Sequence, residues 1–414
     1  MNTTTLDKST SMSALLGHAP AAAHAVFGLL PGLQHGTLDV QLPDGRQLHF
    51  GGPAEASPLR AALRLHNWNV CSAALKSGDI GFAESFIDGD WTTSDLTALL
   101  KLFIANRGDI ERVIYGSWWG SLLYRAKHLL NRNSRSGSRK NIHTHYDLGN
   151  AFYRLWLDET MTYSAALFEA DREHEELAHA QRAKVRRALR ECGLQAGSRV
   201  LEIGCGWGGL AEIAASEFGA QVTGVTLSTE QLAWAQERLA RAGVQAQCDL
   251  RLQDYRDIRD EPFDAIVSIE MFEAVGEDYW PSFFKTVYDR LKPGGVACIQ
   301  SITIRDDLFD RYRRSTDFIQ QYIFPGGMLP SKCLFREQVR RAGLQVSHEL
   351  AFGADYAETL KRWREAFLRE EAAVRGVGFD MRFLRIWEFY LAYCEAAFAA
   401  GDTDVVQFTL RKPG

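Results

Sequence analysis

Between Gly36 and Phe50 apolar and polar residues alternate around Pro43-Asp44-Gly45, the period-two pattern of a β-hairpin closed by a turn. Apolar residues then recur at helical spacing over 59–75 and 93–106, with Asp90-Trp91 between them. Residues 1–115 are therefore expected to form a small α+β domain. A different rhythm starts near residue 143. Helices are expected around 172–194, 208–218, 228–242 and 277–291, and strands at 198–203, 221–226, 247–252, 263–269 and 296–302. Such regular alternation predicts a parallel, doubly wound sheet. Residues 305–403 interrupt it with mostly helical, aromatic-rich sequence, and Val405–Leu410 offers a last strand.

The stretch 116–142 separates the two patterns. Apolar and aromatic residues, including Trp118, Trp119 and Tyr124, run into Arg132, Arg135, Arg139 and Lys140, with no acidic residue between 125 and 140. That combination suits the surface of an anionic bilayer. A solvated inter-domain linker is the plainer reading of the same residues.

Composition narrows the class. A chain of 414 residues suggests two domains, and 46% apolar with 24% charged residues is ordinary for a soluble globular protein. A net charge of −5 argues against a general nucleic-acid binder. The seven cysteines (71, 192, 205, 248, 298, 333 and 394) contain no Cys-x-x-Cys pair and read as reduced thiols, which points to a cytoplasmic protein. The first twenty or so residues lack a basic start and a compact apolar run, so they do not resemble a signal peptide. No window approaches the roughly 18 consecutive apolar residues of a membrane span.

The sharpest chemical signal is Val200-Leu-Glu-Ile-Gly-Cys-Gly-Trp-Gly-Gly209. Gly204, Gly206 and Gly208 follow an apolar strand and open a helix, where a tight turn lets the backbone approach a ligand. Alone, such a triplet is also compatible with a dinucleotide or with an ordinary strand–helix turn. The Gly-x-Gly-x-Gly spacing, Glu202 before it, Thr226-Leu-Ser-Thr-Glu-Gln231 after the second strand and Gln253-Asp-Tyr255 after the third favour S-adenosylmethionine over a nicotinamide.

Longer strings extend the match. They include His145-Tyr-Asp-Leu-Gly-Asn150, Tyr163-Ser164, Phe168-Glu169, Gln253-Asp-Tyr-Arg-Asp257, Met271-Phe-Glu273, Tyr322-Ile-Phe-Pro-Gly-Gly327, Leu329-Pro-Ser331 and Phe352-Gly-Ala-Asp-Tyr356. With the glycine loop, they resemble the cyclopropane-fatty-acyl-phospholipid synthase family from about residue 140 to the C-terminus. The resemblance implies a mostly parallel, seven-stranded, Rossmann-like methyltransferase sheet with helical acyl-binding insertions over 143–414. It implies for 1–115 a lipid- or membrane-associated α+β domain joined by the basic linker.

The implied reaction transfers a methyl from S-adenosylmethionine to a cis double bond in an acyl chain of a membrane phospholipid. A carbocation forms, and proton loss from the new methyl closes a cyclopropane ring. Such chemistry needs a dry pocket, aromatic faces for the cation and a base. The resemblance implies a bicarbonate as that base, with Glu273, Ile302 and Tyr356 falling on three of its holding positions. The family's Cys position is Ala165 and its His position is Gln300, while Ala274 stands where a His usually follows the Glu. The backbone N–H of 165 and the amide of Gln300 can still donate. Three outcomes stay open: bicarbonate with altered affinity, Glu273 as the base, or a cation that ends in a methyl or methylene branch without a ring.

By the same resemblance Tyr163, Ser164, Glu202, Gly204, Gly206, Gly208, Thr226, Leu227, Gln231, Asp254 and Tyr255 line the cofactor site. Ser228 reads as an N-cap. His143-x-His145 lacks a third ligand and reads as structural, not metal-binding. Trp363, Phe367, Phe383, Trp387, Phe389, Tyr390 and Tyr393 could line an acyl tunnel, although aromatics so spaced more often fill a core. Peripheral association with an anionic membrane and a homodimer are the implied assemblies. A methyltransferase for a soluble small molecule and a non-catalytic membrane-associated binding protein remain as alternatives.

Overall fold

The computed structural model describes residues 4–5, 15–52, 58–108 and 148–414. The basic stretch 116–142 and the pair His143 and His145 lie outside the described residues. No described helix is long and apolar enough to cross a membrane.

Two compact units emerge, and they do not follow chain order. Unit 1 comprises 1–128 with Ser315–Ile323 and Gly378–Ala400; unit 2 comprises 129–314, 324–377 and 401–414. Residues 315–323 and 378–400, which the sequence pattern assigns to the second domain, belong to unit 1.

In unit 1, β2 (Thr37–Gln41) and β3 (Gln47–Gly51) form the expected hairpin. β1 (Thr4–Thr5), β4 (Arg60–Leu65) and β5 (Trp91–Thr92) complete a sheet in the order β1-β3-β2-β4-β5. β4 overturns the helical reading of 59–75. Ala61, Leu63 and Leu65 are buried in strict alternation, and pairing alongside β2 overrides the helix preference of Ala, Leu and Arg. Helical structure begins only at Asn69 and runs to Ile87, broken by a kink at Ser77-Gly78 where Gly78 takes φ 58°, with helix 96–105 following as expected. The helix 381–399 buries Trp387, Phe389 and Tyr390 in this unit, whereas Trp363 and Phe367 are buried in unit 2. The seven aromatics are thus divided between the two units; Phe383 and Tyr393 are only partly buried, and Tyr393 lines an apolar cavity of unit 1.

Unit 2 carries the seven-stranded sheet. Its strands are β6 (Arg199–Ile203), β7 (Gln221–Thr226), β8 (Cys248–Leu252), β9 (Phe263–Ile269), β10 (Leu291–Ile304), β11 (Gln345–Ala351) and β12 (Thr403–Arg411). They lie in the order β11-β12-β10-β9-β6-β7-β8. The pairs from β10 to β8 are parallel, and β12 runs antiparallel to both neighbours. β11 was not foreseen, because this edge strand is half exposed and shows no alternation. Side chains alternate between two apolar clusters: Leu201, Ile203 and Ile266 enter one, Val200, Ala265 and Val267 the other. Successive residues therefore feed opposite faces, as helices on both sides require. The strand order reverses at β6, which has β7 on one side and β9 on the other. A ligand crevice is expected beyond the C-terminal ends of those strands.

Candidate active site

The crevice is there. Gly204 and Gly206 carry the chain out of β6 at φ +88° and +49°, and a Cβ on Gly204 would meet Met271 Cγ at 2.9 Å. Gly208 takes the left-handed cap position of helix 209–218 and packs on Ala235. Of the eleven residues expected at the cofactor, ten line one cavity: Tyr163, Ser164, Glu202, Gly204, Gly206, Thr226, Leu227, Gln231, Asp254 and Tyr255. Gly208 does not line it and acts through the turn. Ser228 caps helix 229–241 by accepting from Gln231 N at 3.2 Å, as read from the sequence. Asn150 accepts from Trp207 Nε1 at 2.7 Å and donates to Glu230 O at 3.2 Å, tying its own motif to the glycine loop.

The cavity suits a cofactor with hydrogen-bonding groups and a cationic sulfur, since the carboxyl-bearing Glu202, Asp254 and Glu270 line it. Glu202 is buried with Oε2 lacking a hydrogen-bond partner, and burial pushes its carboxyl well above the ordinary range. A polar group of the ligand would satisfy that atom. Tyr163 faces the cavity and is backed by Trp363 and Trp156, with ring centroids 5.4 and 5.6 Å away.

The residues expected at the base site converge on a group that the sequence reading passed over. Glu270 Oε1 accepts from Ala165 N at 2.8 Å and from Gln300 Nε2 at 2.7 Å, and Oε2 accepts from Tyr356 Oη at 2.8 Å. Glu273 Oε1 accepts from Ile302 N, and its Oε2 is buried without a partner. Of the five predicted positions Glu273 is thus one carboxylate, Ile302 donates to it, and the other three hold Glu270. An added bicarbonate does not fit this set, since its donors at 165, 300 and 356 are already engaged. The expectation of a bound bicarbonate is revised on that ground.

Glu270 follows β9 directly, where an apolar strand delivers a charge to the crevice, and that placement is the signal that could have found it. Its backbone sits at φ 48°, uncommon for a residue other than glycine. Burial raises its carboxyl pKa, while the charge of Lys184 and the three donors pull it back down. Lys184, also unforeseen, lies on the buried face of helix 177–191 and donates to Ser164 Oγ at 2.5 Å. Burial brings its pKa down to about 8, opposed by Glu270 and Asp158. Glu273 is pushed up to about 8 by burial and by the neighbouring Glu270 charge. With three donors and the charge of Lys184 beside it, Glu270 is the better placed of the pair to carry a negative charge.

A doubly wound sheet with a glycine cradle at its switch point, facing a buried carboxylate and aromatic walls, defines an S-adenosylmethionine-dependent C-methyltransferase. Residues 133–408 match the mycolic acid cyclopropane synthetase family, and the chain belongs to it. A tuberculostearic acid methyltransferase from Mycobacterium tuberculosis is 39% identical over 368 residues, 87% of this chain and 85% of that protein. The cyclopropane-fatty-acyl-phospholipid synthase of Escherichia coli is 35% identical over 349 residues, 84% of this chain and 87% of its own length. A solved mycolic acid cyclopropane synthase complexed with SAH and CTAB superposes with a TM-score of 0.62 at 33% identity, covering 66% of this chain and 98% of its own.

Proposed function

We propose that the enzyme methylates a cis double bond in an acyl chain of a membrane phospholipid, by way of a carbocation. The observation that carries this reading is the buried carboxylate of Glu270, fixed by three donors on the wall of the cofactor cavity that Tyr163 also lines. An alkene needs no activated nucleophile, but a cation formed from it needs a nearby anion, aromatic faces and a proton acceptor. When bound, S-adenosylmethionine supplies an electrophilic methyl. The residues lining the cavity would hold it there, and Tyr163 would shield the developing cation from water.

Two supports lie outside the cavity. Relatives are named for fatty-acyl-phospholipid and fatty-acid substrates. Unit 1 encloses an apolar cavity lined by Val26, Leu30, Leu63, Phe82, Leu100 and Phe103, which suits a unit working against lipid. Peripheral binding to an anionic bilayer through 116–142 belongs to the same reading. Co-sedimentation with anionic and neutral liposomes tests it, because binding indifferent to lipid charge and salt would leave that stretch a linker.

Ring closure is the first reading of the product. A branched chain is the second, favoured by the relative named for tuberculostearic acid, a branched acid. Trideuteromethyl-labelled cofactor and unsaturated phospholipid separate them. A ring or a methylene branch retains two deuteriums, distinguished by upfield ring protons or olefinic protons in the NMR spectrum. A cation quenched by hydride retains three. No labelled chain at all would remove the acyl reading and leave a soluble small molecule as substrate.

A further inference from the structure

The positions that the resemblance assigns to an exchangeable anion hold a side chain of the protein. The N–H of 165, the amide of Gln300 and the hydroxyl of Tyr356 all donate to Glu270. We propose that Glu270 is the catalytic base, a built-in carboxylate in place of an exchangeable bicarbonate, so that turnover is independent of bicarbonate. The assignment rests on the acyl-methylation reading above.

Three features carry it beyond the contacts themselves. First, the direction of the donors is imposed from a distance. Arg187 can only donate, and its Nη1 meets Gln407 Oε1 at 2.6 Å. Gln407 Nε2 must then face Gln300 Oε1, at 2.9 Å, which turns the Gln300 NH₂ toward Glu270. A chain that runs from a half-buried guanidinium through two fully buried amides polarises each bond toward the carboxylate. Second, Glu270 lines the cofactor cavity whereas Glu273 does not, which puts the Glu270 carboxyl on the wall of the space that S-adenosylmethionine would occupy. Third, the backbone at Glu270 is left-handed, at φ 48°, a conformation that glycine adopts far more readily than glutamate. An unfavourable conformation retained beside the cofactor is the mark of a positioned functional group.

The step balances without a further reagent. The alkene π pair forms the new bond to the sulfonium methyl, and the sulfur keeps the pair of the bond that breaks. Glu270 then takes a proton from the new methyl, and the freed C–H pair closes the ring. Loss of the same proton after a 1,2-hydride shift gives an exocyclic methylene, so the base is the same for either product. The acquired proton leaves to solvent between turnovers. Lys184, Glu273 and Tyr356 face the carboxylate, and Lys184 favours its ionised form.

The test compares wild-type enzyme in argon-sparged, carbonate-free buffer with the same enzyme given millimolar bicarbonate. The substrate is vesicles of cis-monounsaturated phosphatidylethanolamine and phosphatidylglycerol, and both S-adenosylhomocysteine and labelled chains are measured. Equal rates within about twofold are expected, because general-base catalysis is supplied by the protein. A rate that collapses without bicarbonate and returns with it overturns the assignment. Absence of product in both arms overturns instead the acyl reading on which it rests. The substitution Glu270→Gly suits the local backbone and should preserve S-adenosylhomocysteine binding by calorimetry. It is expected to cost about 10²–10⁴-fold in rate, with partial recovery on adding bicarbonate to the vacated donors. A Glu270→Gly enzyme at wild-type rate in carbonate-free buffer would also overturn the proposal.

Discussion

Gln407 Nε2 donates to Gln300 Oε1 at 2.9 Å, and that bond decides which end of the Gln300 amide faces Glu270. The two glutamines are register partners across the antiparallel β10–β12 pair, so the contact is set by sheet geometry. Both are fully buried, and no water competes for their amides.

Gln407→Leu leaves Gln300 Oε1 and the Arg187 guanidinium without their buried partner. A stability loss of about 1–3 kcal/mol is expected by denaturant titration. With Gln300 free to turn over, kcat should fall while KM for lipid is little changed. An unchanged kcat would separate the relay from catalysis.

Tyr356→Phe removes one of the three donors to the Glu270 carboxylate. Hydrogen bonds to the ionised form lower its pKa, so losing one raises it. A base acts only when ionised, and the acidic limb of the rate–pH profile should therefore move to higher pH. The rate deficit should be larger under mildly acidic than mildly alkaline conditions, and a uniform deficit would contradict this.

Glu273 should make stability fall with rising pH. Its ordinary value is 4.5, and in the fold it is pushed up to about 8. Between those values the native protein keeps a proton that the unfolded chain has lost. The stabilisation is full below the unfolded value and is lost as pH rises toward the folded one. In Glu273→Gln that dependence is absent. The melting-temperature difference between variant and wild type should widen in the variant's favour across the window, by the equivalent of roughly a few kcal/mol. A constant difference would show that Glu273 is ionised in the fold.

Gly204→Ala places a methyl 2.9 Å from Met271 Cγ on a backbone at φ +88°. Strain of about 1–2 kcal/mol is expected, read as a roughly tenfold weaker S-adenosylhomocysteine affinity by calorimetry. Gly208→Ala, against Ala235 at 2.9 Å, should act mainly on thermal stability, because Gly208 does not line the cavity.

Whatever is local in origin was legible in the chain. Alternation over 36–50 predicts the β2–β3 hairpin, and the β–α rhythm from 198 to 302 predicts the parallel strands, because side-chain period is a property of each segment. The loop Gly204–Gly209 marks a ligand-binding turn for a similar reason, and Glu202, Thr226–Gln231 and Gln253–Tyr255 narrow the ligand to S-adenosylmethionine. Where a partner overrides local preference the chain misleads. β4 is a strand because β2 lies beside it, and β11 shows no period because only one edge of it is covered. Residues 381–399 join unit 1 although they follow unit 2 in sequence. Ala165 and Gln300 looked like losses in the chain alone. Only the fold brings positions 165, 270, 300, 356 and 407 together, through strand register and one left-handed backbone turn, and there the N–H of 165 and the amide of Gln300 both donate to Glu270.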